Sequence, residues 1–202
     1  QNGYTKAKDL YAWLLSTDTS RSEKLIRVTE AMQKRAGITI RSFNKKDFTN
    51  EVKRIKTLYN SVWEKNWGFV PMSDEEFDFL AGDLKQIYDP DLIFFAEKNG
   101  ETIGFALSLP DGNQAFHAGP RIPRGLLNLP IAVWNLMTKK KAINTIRILT
   151  LGVAKEHRGR GIDAMFYRKT IEIAEKKGYT FGEASWILED NDMMNRAIEM
   201  MN

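Results

Sequence analysis

The most informative stretch of the sequence is a strand–loop–helix pattern, which reads Leu151-Gly152-Val153-Ala154-Lys155-Glu156-His157-Arg158-Gly159-Arg160-Gly161-Ile162-Asp163-Ala164. The apolar residues up to Val153 predict a strand over 146–153, and a short basic loop leads from it to a helix that begins near Gly161. Glycines let the backbone approach a ligand closely. The free N–H groups of a first helical turn favour an anion. The pattern therefore predicts a phosphate or pyrophosphate site, to which Arg158 and Arg160 add positive charge.

Two kinds of phosphate site compete for this pattern. Gly159, Gly161 and Ala164 match the spacing of a dinucleotide-binding fingerprint. In that fold the glycines follow the strand directly, and several more strands come after them. Here a polar loop intervenes and only 38 residues remain after Ala164, so the spacing disfavours this alternative.

The second alternative is a resemblance to the GNAT superfamily of acyl-CoA-dependent N-acyltransferases. Residues 158–163 resemble its pyrophosphate motif, which is Gln or Arg, two variable residues, Gly, one variable residue, then Gly or Ala. Asp163 stands where that motif has Gly or Ala. Asn191, after Glu189 and Asp190, resembles the asparagine that opens the last helix of the family.

The order of predicted elements agrees with this resemblance from Ile38 onward. An alternating strand, an amphipathic helix over 48–62 and a second helix opened by a Ser73/Glu76 capping box come first. A hairpin with an Asn99-Gly100 turn follows, and then an inserted segment at 110–141. The last elements are a strand, a helix, a strand over 181–188 and a final helix. The implied fold class is α+β, with a mixed, mostly antiparallel sheet flanked by helices.

The resemblance also implies where a donor and an acceptor bind. The strand ending at Val153 would splay from the strand at 181–188 and leave a gap for the pantetheine arm of acetyl-CoA or another acyl-CoA. The residues implied to bind the donor are Leu151, Gly152, Val153, Arg158, Gly159, Arg160, Gly161, Ile162, Asp163 and Asn191. The acceptor, a small-molecule or peptide amine, would enter beside the loop that joins the first two helices. The candidate acceptor residues there are Trp63, Trp67 and Phe69.

Catalysis is less well defined by the sequence. In the family a tyrosine on the last helix protonates the leaving thiolate, whereas here Ile198 occupies that place. Glu183 and Ser185 alternate on the strand that faces the gap and are the candidate substitutes. Glu183 could act as the base if burial raises its pKa. The implied reaction is acyl transfer, with acetyl as the expected group; an acyl-CoA-binding or regulatory module without catalysis is the alternative.

Composition excludes several other classes of protein. The 202 residues include no cysteine, which excludes disulfide scaffolds and thiolate metal sites, and no His/Asp/Glu spacing indicates a metal. A net charge of +4 without a recognition motif does not predict nucleic-acid binding. No apolar run is long enough for a transmembrane segment, so a cytoplasmic location is expected, with a homodimer as an open alternative.

Two segments lie outside the expected domain pattern. The insertion at 110–141 is rich in apolar residues and could shape the acyl or acceptor side of the pocket for a long acyl chain or a lipid-like acceptor. A weak interfacial membrane contact and simple packing are the alternatives. Residues 1–37 are expected to be the tail of a preceding GNAT-like half plus a linker helix, and 38–202 a domain without its closing strands. The strand at 181–188 would then have a free edge, or residues 4–15 would cover it.

Overall fold

The computed structural model describes residues 3–17, 23–85, 87–120 and 128–199. The strands are β1 (Leu10–Ser16), β2 (Thr39–Ser42), β3 (Ile93–Lys98), β4 (Glu101–Pro110), β5 (Thr145–Val153) and β6 (Phe181–Leu188). The helices are α1 (Glu23–Ala36), α2 (Phe48–Trp63), α3 (Asp74–Leu84), α4 (Gly112–Ala118), α5 (Asn128–Thr138), α6 (Ile162–Lys176) and α7 (Asp192–Glu199). Two predicted segments lie partly outside the described residues. These are the start of the linker, at residues 18–22, and the end of the last helix, at residues 200–202.

The strands form one mixed sheet, in the order β1-β6-β5-β4-β3-β2. Every neighbouring pair is antiparallel except β5 and β6, which run parallel. The helix α6 connects that parallel pair, as a parallel connection requires. The expected fold class, α+β with a mostly antiparallel sheet flanked by helices, is confirmed.

Local sequence signals account for several of these elements. Asn99 and Gly100 both have positive φ, at 52° and 83°, which closes the β3–β4 hairpin at the predicted turn. The Ser73 hydroxyl accepts from the backbone N–H of Glu76, and the Glu76 carboxylate accepts from the backbone N–H of Ser73. The predicted capping box of α3 is therefore confirmed.

The core lies on both faces of the sheet. On one face, Ile162, Met165 and Phe166 of α6 pack against Phe94, Ala96 and Ala106. On the other, Ile55 of α2 and Phe77 of α3 pack against Phe95 and Phe105. Four phenylalanines of the core are fully buried: Phe94, Phe95, Phe105 and Phe166.

The edge of β6 is covered by β1 of the same chain. Residues 10–16 pair antiparallel with residues 181–188, which decides between the two expectations for this edge. The indole N–H of Trp13 also donates to Oδ1 of Asn195 in α7, 3.1 Å away. An ion pair links the residues before β1 to the end of β6, since Nζ of Lys6 lies 2.8 Å from the carboxylate of Glu189. The origin of this extension as the tail of another half stays a prediction.

The inserted segment forms a helical hairpin. Helices α4 and α5 pack together, and the buried amide of Asn135 donates to the carbonyls of Phe116 and Pro120 at 3.2 and 2.9 Å. Leu126 and Leu127, two of the apolar residues predicted to matter here, lie outside the described residues. Across the described part of the chain, no helix is both long and apolar enough to cross a membrane.

Candidate active site

The strands β5 and β6 separate at the centre of the sheet. Their parallel pairing covers only Thr145–Ile148 and Phe181–Ala184. Beyond that point β5 stays paired with β4 as far as Val153, and β6 stays paired with β1 as far as Leu188. Residues 149–153 therefore present an unpaired backbone edge to the gap, and the splay expected from the sequence is confirmed.

A β-bulge in β5 accompanies this separation. Leu107 pairs with Thr150 and Ser108 with Ile148, so Leu149 is an extra residue in β5. The bulge changes which residues face α6: Ile146 packs there before it, and Leu151 and Val153 after it. It leaves Gly152 facing α2, where a Cβ atom would come within 2.7 Å of the side chains of Val62 and Trp63.

The loop after β5 leads into the N-terminus of α6 through two left-handed glycines. Gly159 and Gly161 both have φ of 72°, a conformation that other residues rarely adopt. Gly161 is the N-cap of α6, and no side chain caps the first turn. Space beside Gly159 is open, because a Cβ there would meet no atom within 4 Å. The N–H groups of this turn can thus receive a phosphate, and the residues present fit the pyrophosphate of a coenzyme A thioester.

The two arginines of the loop differ in their contacts. Nε of Arg158 donates to the carbonyl of Val153 at 3.1 Å, and Nη2 donates to the carbonyl of Val62 at 2.7 Å. Among the described residues, Arg160 has no carboxylate partner and is exposed. Arg158 therefore positions the loop, whereas Arg160 adds charge beside it. Ile162 is buried under the loop, and Asp163 is half-buried in the first turn of α6.

Two of the three aromatic residues predicted to line the acceptor site, Trp63 and Phe69, pack on the ring of Tyr59. Trp63 ends α2 beside Gly152 and packs edge-on against Phe105, with ring centroids 5.7 Å apart. Phe69 packs on Tyr59 at 5.8 Å, while Trp67 is 58% exposed. Only Trp63 reaches the proposed donor strand directly.

Glu183 and Ser185 lie together, as their alternation on β6 predicts. The Ser185 hydroxyl donates to Oε1 of Glu183 at 2.6 Å, and Arg147 of β5 pairs with the same oxygen at 2.8 Å. These contacts hold the pKa of Glu183 below its usual range despite partial burial. The hydrogen bond from Ser185 has the largest effect, and the hydrogen bond and charge of Arg147 add to it. The condition under which Glu183 could act as the base, a pKa raised by burial, is therefore not met, because the two donors outweigh the desolvation.

The start of α7 is held by Asn191, whose side chain accepts from the backbone N–H of Met194 at 3.3 Å. Ile198, which stands where the family's tyrosine is expected, is fully buried against Ala184 and Ile187. The hydroxyl of Tyr167 on α6 instead contacts the sulfur of Met194. Burial raises the pKa of Tyr167 well above its ordinary range, so this hydroxyl stays protonated near neutral pH.

A cleft of about 490 Å³ lies between the inserted hairpin and the sheet. Apolar side chains dominate its walls, among them Leu109, Phe116, Leu136, Met137, Ile143 and Leu149. Arg147 also lines it, and its Nε is buried without a hydrogen-bond partner. Asp89, Asp111 and Lys140 line it too, so the cleft combines apolar walls with charged groups of both signs, among which Arg147 is itself bonded to Glu183.

Two residues of this region, Arg147 and Tyr167, were not predicted from the sequence. Arg147 is the one charged residue in the apolar strand 145–153, and that contrast could have identified it. No comparable signal marks Tyr167, because its importance depends on the position of Met194. No group of three His, Asp or Glu side chains in the described ranges could hold a metal ion.

Comparison with known proteins agrees with this geometry. The sequence profile of the "Acetyltransferase (GNAT) family" matches residues 52–199. "Bacterial ceramide synthase" of Caulobacter vibrioides is 31% identical over 98% of this chain and 52% of that protein. "Protein YghO" of Escherichia coli is 32% identical over 98% of this chain and 51% of that protein. The chain therefore spans about half the length of the curated relatives it matches.

A solved structure shares the fold. The GCN5-related N-acetyltransferase from Sphaerobacter thermophilus superposes with a TM-score of 0.56 at 16% identity, over 94% of this chain and 46% of that one.

Proposed function

The chain belongs to the acetyltransferase (GNAT) family, and from that premise we propose that it is an acyl-CoA-dependent N-acyltransferase with a lipid-like amine acceptor. The observation that carries the proposal is the apolar cleft of about 490 Å³ that reaches Arg147. A ceramide is the amide of a long-chain amino alcohol and a fatty acid. The relative named for ceramide synthesis therefore suggests acceptors of that chemical class.

The donor site rests on backbone groups. The unpaired edge at residues 149–153 would bind the pantetheine amides, through Leu151, Gly152 and Val153. The N–H groups of residues 159–163 and the charge of Arg160 would bind the pyrophosphate. Bound there, acyl-CoA supplies an activated thioester carbonyl. Trp63 and Val62 close the α2 side of this strand over Gly152 and would exclude water from it.

Glu183 orients Ser185 in this proposal rather than serving as the main base. A general base works best with a pKa near the working pH, and that of Glu183 is lowered. We therefore expect the amine to attack as the free base. Ser185 gives its proton to the leaving thiolate and regains one from the attacking nitrogen, so that one proton leaves the amine and one reaches sulfur.

Tyr167 is the alternative proton donor. Its hydroxyl reaches Met194 of α7, the helix on which the resemblance implies a catalytic tyrosine. It also lines a small cavity together with Ile146, Ile148 and Gly182, beside the paired part of β5 and β6.

Thiol release tests the activity directly. The chain contains no cysteine, so a thiol-reactive dye reads only free coenzyme A. We expect release from a long-chain acyl-CoA that depends on a long-chain amino alcohol, with acetyl-CoA and a soluble amine run beside them. Amide formation is checked by mass spectrometry of the product.

The alternative is an acyl-CoA-binding module without catalysis. The absence of a tyrosine at Ile198 favours it. Tight acyl-CoA binding by calorimetry, with no thiol release for any amine and donor tried, would support that alternative and reject the proposed transfer.

A further inference from the structure

The outward side of α5 is apolar. Leu129, Val133, Trp134 and Met137 are exposed to 69%, 46%, 62% and 69%. Their spacing of four, one and three residues puts them on one side of a helix. Soluble monomers rarely expose contiguous apolar surface of this kind without a binding role.

This side faces outward because the opposite side of α5 is anchored. Asn135 is fully buried and bonded to the carbonyls of Phe116 and Pro120. Leu136 turns toward the cleft and Gly112. Rotating the helix to bury Trp134 would break the Asn135 bonds and leave a buried amide unpaired, which is costly.

The same part of the sequence carries the positive charge of the chain. Residues 112–155 contain seven Lys and Arg residues and no Asp or Glu. The rest of the chain has 23 basic and 26 acidic residues, a net charge of −3. Lys140 and Lys141, directly after α5, are exposed and have no carboxylate partner among the described residues. The helix α5 itself carries no charged residue, so the lysines that directly follow it would supply the attraction of its apolar side to an anionic membrane surface.

We propose that α5 is an interfacial helix that docks this protein on an anionic lipid bilayer. Leu129, Val133 and Trp134 enter the acyl boundary, and Lys140 and Lys141 lie among the headgroups. A second copy fits less well, because a symmetric contact would set two basic segments against each other.

Docking through α5 would also turn the cleft toward the membrane. Met137 is exposed on the outward side and lines the cleft as well, so the mouth of the cleft would open at the membrane. A lipid-like amine could then pass from the bilayer toward Arg147 without crossing water. This use rests on the proposed function, whereas the membrane contact does not.

Vesicle co-sedimentation tests the contact. We expect the protein to bind vesicles of phosphatidylcholine and phosphatidylglycerol at least about tenfold more tightly than pure phosphatidylcholine vesicles, and to be released by salt. The double variant Leu129→Asp/Val133→Asp should lose binding at least about tenfold. Lys140→Glu/Lys141→Glu should lose only the preference for the anionic lipid.

Phe79→Asp is the matched control, since Phe79 on α3 is 73% exposed and lies outside the cleft. It should bind vesicles like the unmodified protein. Circular dichroism and melting temperatures establish that each variant is folded. Binding that is absent for the unmodified protein, or lost equally in the control, overturns the proposal. A dimer by light scattering that the Leu129/Val133 variant abolishes, without vesicle binding, overturns it in favour of a second copy.

Thiol release separates this proposal from the proposed function. Leu129→Asp/Val133→Asp should keep turnover of a soluble donor and a soluble amine without vesicles. If the unmodified protein binds vesicles but releases no thiol, the membrane contact stands and the acyl transfer fails.

Discussion

Nη2 of Arg158 donates a hydrogen bond to the backbone carbonyl of Val62, at 2.7 Å. The contact joins the loop before α6 to the last turn of α2, 96 residues earlier in the chain. The same turn carries Trp63, which covers Gly152. The proposed pyrophosphate loop, the donor strand and the end of α2 are therefore positioned together.

Replacing the two loop arginines should give different results. Arg158→Ala removes two charge-assisted bonds and should lower the free energy of unfolding by about 1–2 kcal/mol, with weaker coenzyme A binding. Arg160→Ala should leave stability unchanged and weaken coenzyme A binding about three- to tenfold. Denaturant unfolding and calorimetry measure the two effects. Equal losses of stability in both variants would contradict the positioning role of Arg158.

The two left-handed glycines allow a matched comparison. Alanine at either one strains the backbone by about 1 kcal/mol. At Gly161 the new Cβ would also overlap the side chain of Met32, whereas Gly159 has open space. Because Sδ and Cε are the flexible end of the Met32 side chain, Gly161→Ala should be only slightly more destabilising in a thermal melt, and Met32→Ala should remove the difference. If the two glycine variants melt alike, the contact of Met32 with Gly161 is unimportant.

The lowered pKa of Glu183 predicts a pH dependence of stability. The hydrogen bond from Ser185 and the pair with Arg147 stabilise the fold above the carboxyl's ordinary pKa of 4.5, and this stabilisation is lost as pH falls through the lowered pKa of the folded state. Glu183→Gln should therefore be less stable than the unmodified protein near neutral pH and should converge with it at strongly acidic pH. Denaturant midpoints across pH measure this, and a constant difference would be the contrary result.

The two candidate proton donors can be separated by kinetics. Ser185→Ala should lower kcat by about 100-fold if Ser185 protonates the thiolate, while Tyr167→Phe should change it little. The reverse pattern assigns the proton to Tyr167. Melting temperatures of both variants control for altered packing around Met194.

The cleft predicts a dependence on the chain length of the amine acceptor. Leu149→Trp should fill part of the apolar volume and lower kcat/KM for a long-chain amino alcohol by about tenfold, with little change for a soluble amine. Phe79→Trp, on an exposed position of α3, is the control. Equal losses for both amines would indicate that the acceptor chain does not lie in this cleft.

Elements with a strong local signal were predictable from the sequence. The hairpin at Asn99 and Gly100, the capping box of α3 and the bounds of β6 follow from turn, cap and alternation patterns. The strand β1 has no strong local signal, because its pairing partner lies at the other end of the sequence. The helix α5 was missed because of Pro130, which the first turn tolerates since its N–H needs no helical partner.

The candidate site was predictable only in part. Gly159 and Gly161 follow from the strand–loop–helix pattern, and the splay of β5 from β6 follows from the resemblance to the GNAT family. The direction of Arg158 depends on where α2 ends, and the pKa of Glu183 depends on Arg147 in a neighbouring strand. Such contacts between distant segments have no local signature.

The pairing of β1 with β6 also constrains how the chain folds. Leu10 lies beside Leu188, so this rung closes a loop of nearly the whole described chain. Such long-range closure is entropically costly and slows folding. During synthesis the first strand must wait without its partner until β6 has been made. We therefore expect the sheet to be completed late, after the β3–β4 hairpin and α6 have formed their local contacts.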